Sequence, residues 1–76
     1  MRKELNRMSP SHVIANGREV VTSFPCTVEQ FLLSQRLLPR SVVVEHNGEA
    51  VSPSDFAARE LRSGDYLEIV RVVAGG

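Results

Sequence analysis

Asn-Gly occurs twice in this chain, at Asn16-Gly17 and Asn47-Gly48, each time between apolar runs. A two-residue hairpin turn of type I′ needs φ > 0 at both central residues. Asn followed by Gly meets that demand at the least steric cost. The first dipeptide joins Val13-Ile14-Ala15 to a strand that runs from Arg18 to about Ser23, closed by Phe24-Pro25. The second joins Val42-Val43-Val44-Glu45-His46 to Glu49-Ala50-Val51, which Pro53 ends. Two antiparallel hairpins are thus expected, with one stretch between them left to explain.

That stretch reads as a helix. Thr27-Val28-Glu29-Gln30 is a capping box: the Thr27 hydroxyl takes an orphan N–H, and Gln30 reaches back to the Thr27 N–H. The helix is expected from Val28 to about Arg36, with Val28, Phe31 and Leu32 on one face. Pro39 stops it, and Leu38 is expected to pack beneath the turning chain. Further on, Asp55-Phe56-Ala57-Ala58 fits one helical turn, with Phe56 and Leu61 inward. Ser63-Gly64-Asp65 is a turn into a last strand, Tyr66 to Val73, rich in β-branched residues. The order β-β-α-β-β-β predicts an α+β fold of the β-grasp (ubiquitin-like) kind. A mixed sheet curls over one main helix, and its first and last strands are central, parallel neighbours.

At 76 residues the chain holds one domain with a small core. Residues 1–11 are expected to be a flexible N-terminal extension, 12–73 the β-grasp domain and 74–76 a mobile C-terminal arm. Nine basic and nine acidic residues cancel, so nothing points to a nucleic-acid partner. No apolar run approaches signal-peptide or membrane-span length. With a single cysteine, Cys26, the expectation is a cytoplasmic protein with no membrane partner. Cys26, His12 and His46 show no metal-ligand spacing, so no metal site is expected. Cys26 reads as a small apolar filler and His46 as a partly buried strand residue. No phosphate loop or dinucleotide motif is present, and no bound cofactor is expected.

Strand alternation puts Leu67 and Ile69 on one face and Glu68, Val70 and Val72 on the other. The uncharged face should meet the helix. In the same way Val42, Val44 and His46 face inward, which turns Val43 and Glu45 outward. An exposed apolar patch of Val43, Val70 and Val72 follows, of the sort that marks a partner-binding surface.

Beyond the last strand stand Ala74, Gly75 and Gly76. Three extended residues reach roughly 10 Å. Without a Cβ, the two glycines can enter a channel too narrow for a side chain. The reactive group of such an arm is the Gly76 α-carboxylate, an anion at neutral pH with a pKa of about 3.5. It is a poor electrophile until activated. Adenylation would supply a leaving group, and a sulfur nucleophile could then displace AMP to leave a thiocarboxylate.

The ANGREV hairpin, TVEQFLLSQRLLP, VVVEHNGEAV and LRSGDYLEIVRVVAGG together resemble the ThiS family of thiamine-biosynthesis sulfur carriers. The likeness runs from about Val13 to Gly76. The departures are Phe56, where the family often has Trp, and Ser52-Pro53, where it often has Pro-Arg. The resemblance implies a carrier protein rather than an enzyme. Gly76 would be the site of adenylation and sulfur attachment, with Gly75 and Ala74 as spacers. The implied partners are a ubiquitin-activating-type adenylyltransferase that uses ATP and Mg²⁺, a cysteine desulfurase or rhodanese-like sulfur donor, and thiazole synthase. The molybdopterin synthase small subunit is a rival of the same fold, but it usually has a longer first hairpin. A protein modifier joined to lysines is another reading, and so is a β-grasp interaction module with an inert tail.

Overall fold

The computed structural model describes residues 11–72. Its strands and helix are, in chain order, β1 (His12–Ala15), β2 (Arg18–Val21), β3 (Cys26–Thr27), α1 (Val28–Ser34), β4 (Val42–His46), β5 (Glu49–Val51), β6 (Glu60–Leu61) and β7 (Tyr66–Arg71). Short 3₁₀ turns at Pro39–Ser41 and Pro53–Asp55 join them. Five strands form a mixed sheet in the order β2-β1-β7-β4-β5. β7 is central and lies parallel to β1 and antiparallel to β4. The expected parallel pairing of first and last strands is present. The expected order lacked β3 and β6, which pair with each other as Cys26↔Leu61 and Thr27↔Glu60 in a separate two-stranded ladder.

Both Asn-Gly turns take the backbone the sequence demands: φ is 51° and 83° at Asn16 and Gly17, and 53° and 84° at Asn47 and Gly48. The asparagines do more than turn the chain. The Asn16 side chain donates to the Ile69 carbonyl at 3.0 Å and accepts from the Ile69 N–H at 2.7 Å. It therefore continues the β1–β7 ladder after the β1 backbone has turned away. Asn47 acts likewise at the other end of β7, accepting the Tyr66 N–H at 2.8 Å on its Oδ1.

The capping box is complete. Thr27 Oγ1 accepts the Gln30 N–H at 3.1 Å, and Gln30 Oε1 accepts the Thr27 N–H at 2.9 Å. The helix buries Val28, Phe31 and Leu32 against Val13, Val44 and Leu67 of the sheet. Truncating Phe31 to alanine in such a site costs about 3–5 kcal/mol. Phe56 and Leu61 point inward as expected.

The end of α1 corrects two expectations. The helix stops at Ser34, capped by Gln35, rather than at Arg36. Arg36 takes φ of 62°; its N–H donates to the Leu33 carbonyl and the Leu37 N–H to the Leu32 carbonyl, both at 2.9 Å. This pair of bonds is a Schellman closure, and the residue after the left-handed one then packs back onto the last helical turn. Leu37, not Leu38, therefore joins the core, and Leu38 is 59% exposed.

Candidate functional site

β7 carries the chain out of the fold. Its residues alternate as expected: Leu67 is buried and Ile69 packs against the core, while Val70 lies on the opposite face. Beyond Arg71, the Val72 N–H donates to the Ser41 carbonyl at 2.8 Å. That bond is the last described anchor before the expected arm. Val73, Ala74, Gly75 and Gly76 lie outside the described residues.

The outer face of the sheet carries the valine patch. Val43 and Val70 are a cross-strand pair, 55% and 60% exposed, and Val72 beyond them is 50% exposed. The next pair along, Glu45↔Glu68, is also exposed on this face. Like charges directly opposite each other destabilise a sheet, so this pair is a local cost that the fold carries. Alternation had already placed both glutamates outward, but their pairing depends on the β4–β7 register, which the sequence does not print.

At the other end of β7 lies a part-buried polar network around His46. The Arg59 Nε–H donates to His46 Nδ1 at 2.9 Å, so the imidazole proton sits on Nε2, which donates to Asp65 Oδ2 at 2.7 Å. Arg59 also donates to Glu49. Burial pulls the Asp65 carboxyl upward, but donors from His46, the Arg62 N–H and Asn47 outweigh it and hold the group below its ordinary value. His46 is thus a satisfied core residue that ties the β4–β5 hairpin to the turn before β7. Cys26 is buried, with its thiol 3.4 Å from the Thr27 carbonyl. Among the described residues no three His, Cys, Asp or Glu side chains come together to hold a metal ion, and no helix is long and apolar enough to cross a membrane.

The family model of the ThiS family matches residues 12–76. The chain belongs to the ThiS family. The crystal structure of a thiamine biosynthesis protein (ThiS) from Geobacter metallireducens superposes with a TM-score of 0.73 at 25% identity, covering 86% of this chain and 99% of that one. The mixed sheet over one helix is accordingly the ThiS β-grasp. A thiazole synthase of Paramagnetospirillum magneticum (strain ATCC 700264 / AMB-1) is 39% identical over 64 residues, 84% of this chain and 20% of that protein. The chain therefore spans about a fifth of the length of that curated relative. The family match extends through the Ala74-Gly75-Gly76 stretch.

Proposed function

We propose that this ThiS-family chain is a sulfur carrier of thiamine biosynthesis, loaded at the Gly76 carboxyl. One observation carries the reading: the family match spans residues 12–76, from β1 through Gly76, which supports the Gly-Gly stretch as part of the family pattern. The fold supports this reading. β7 is hydrogen-bonded on both sides and presents the chain beyond Val72 from a fixed point.

In the proposed cycle a carboxylate oxygen of Gly76 attacks the α-phosphorus of ATP, bound with Mg²⁺ in an adenylating enzyme of the ubiquitin-activating type, and pyrophosphate leaves. A sulfur nucleophile then attacks the acyl carbon and AMP leaves. Hydrosulfide gives the thiocarboxylate directly. A persulfide on a desulfurase or rhodanese-like donor gives an acyl disulfide, which a thiol reduces to the thiocarboxylate while forming a disulfide. Thiazole synthase takes the sulfur. Support for that last partner comes from the Paramagnetospirillum thiazole synthase, which contains a stretch like this chain. The outer-face patch of Val43, Val70 and Val72 serves as the docking surface for the adenylating enzyme, being apolar, exposed and adjacent to the exit of the arm.

The test is a labelling experiment. Incubation with the cognate adenylating enzyme, ATP, Mg²⁺ and a sulfur donor should make the C-terminal peptide of a Cys26→Ser variant react with an alkylating reagent, located by fragmentation. Intact mass is a poor readout because oxidation of Met1 or Met8 adds nearly the same mass as sulfur-for-oxygen exchange. Absence of label on that peptide, with an enzyme shown to be active on another carrier, defeats the reading.

A further inference from the structure

Among the described residues, the helix side of the sheet is not fully covered. α1 has seven residues, about 10 Å of rise, and the left-handed Arg36 follows directly after its cap. The result is an open groove of about 720 Å³ between β2 and the end of α1. Its apolar lining includes Val20, Ile69, Phe31 and Leu37. Two cations flank that lining. Arg18 pairs with Ala15 and Arg71 with buried Val42, so strand parity turns both guanidinium side chains to the helix side. Both residues are exposed, and neither makes an ion pair with another described residue. Glu19 contributes to the groove through its backbone; strand parity turns its side chain to the other face, where it lies 3.4 Å from His12.

The groove also has an open backbone edge. Among the described residues, β2 is an edge strand with no partner on its outer side. The Thr22 N–H donates to the Ser11 carbonyl, and antiparallel ladders alternate bonded and non-bonded pairs. The inward bonds therefore belong to Arg18, Val20 and Thr22, while Glu19 and Val21 direct their N–H and C=O groups away from β1. An extended chain laid along this edge finds backbone partners at every second residue, an apolar channel for alternate side chains and arginines for its acidic groups. These are the requirements of strand addition.

We propose that the groove between β2 and α1 docks an extended protein segment with alternating apolar residues and flanking carboxylates, which adds as a sixth strand beside β2. The site lies on the face of the sheet opposite Val43 and Val70. A segment held there leaves the valine patch open, so the carrier can stay tethered to one protein while another works on its arm. The assignment does not rest on the sulfur chemistry.

The probe is a synthetic peptide, Glu-Val-Thr-Val-Thr-Ile-Asp, blocked at both ends and titrated into isotopically labelled protein. The largest amide shifts are expected at Glu19 and Val21, with those of Val43 and Val70 unmoved. Arg18→Glu, an exposed substitution, should weaken binding by about tenfold or more, as should replacing the acidic ends of the peptide by lysine. Methylating the peptide nitrogens at one alternate set of residues should abolish binding, while the other set is tolerated. No shifts at millimolar peptide, shifts centred on the valine patch, equal binding of the lysine-ended peptide, or indifference to both methylation patterns would each overturn the proposal. Gly76 plays no part in the assay, so a failed sulfur-loading experiment leaves it standing.

Discussion

Asn16 shows how much one residue does in a chain this short. Its backbone makes the turn and its amide bridges β1 to β7 by donating to one Ile69 group and accepting from the other. Aspartate tolerates the turn and keeps the acceptor, but its carboxylate would then face the Ile69 carbonyl. Asn16→Asp is therefore expected to cost about 1 kcal/mol, read as a lower urea midpoint with an unchanged slope. Asp65 contributes an acid-sensitive part of the fold's stability. Its pKa in the folded state is lowered from an ordinary 3.8, so its stabilisation is complete above that value and is lost as pH falls through the lower, folded one. In Asp65→Asn, the protein should be less stable at neutral pH by at least about 1 kcal/mol. Its stability should also depend less on pH below about 4 than that of the parent. A parallel acid limb in the two proteins would show that Asp65 is not the group responsible.

Among the elements, β7 is the sharpest test of the two faces. Val70→Glu places a charge on an exposed outer position and should change stability by no more than about 0.5 kcal/mol, while weakening binding of the adenylating enzyme by about 2 kcal/mol or more. Ile69→Glu drives a charge toward the core and should unfold the domain. Thermal melts and a binding titration on the pair decide it, and exchanged phenotypes would reverse the assignment of faces. This alternation was legible because β7 is long and Glu68 falls on the parity opposite Leu67 and Ile69, although Arg71 at the strand's end lies on the helix side. The hairpins were legible because Asn-Gly is among the few dipeptides that suit two successive positive φ values. β3 and β6 were not, since each is two residues long and their partners stand 35 positions apart in sequence, as Cys26 and Leu61 do. Nor was the helix end: the left-handed position falls on Arg36, where glycine or asparagine would have announced it. That misplaced Leu38. The His46–Asp65–Arg59 network gave no signal either, because its members are joined only when three separate turns meet.

At the scale of the whole molecule, the described body runs to Val72 and the proposed loading site lies outside the described residues. The core of the described residues runs from Val13 to Ile69, and changes beyond Val72 are expected to leave folding intact. Gly75→Val, or one residue added after Gly76, should leave the melting temperature of the body where it was and stop ATP–pyrophosphate exchange with the adenylating enzyme. The narrow-channel argument allows no branched side chain there. Normal exchange by either variant would remove that argument. Of the candidate site, the exposure of the three valines was legible in the sequence, and the glycines lie outside the described residues. The groove under β2 was not legible, because it arises from where a short helix stops covering the sheet.

The parallel placement of β1 and β7 at the middle of the sheet has a mechanical consequence. A pull on the chain beyond Val72, resisted at the chain before His12, runs along both strands in opposite directions. The load falls across their shared hydrogen bonds and the two Asn16 side-chain bonds together, in shear, and does not peel them one at a time. A protein that drags on the arm therefore meets the combined resistance of the ladder before the first strand gives way.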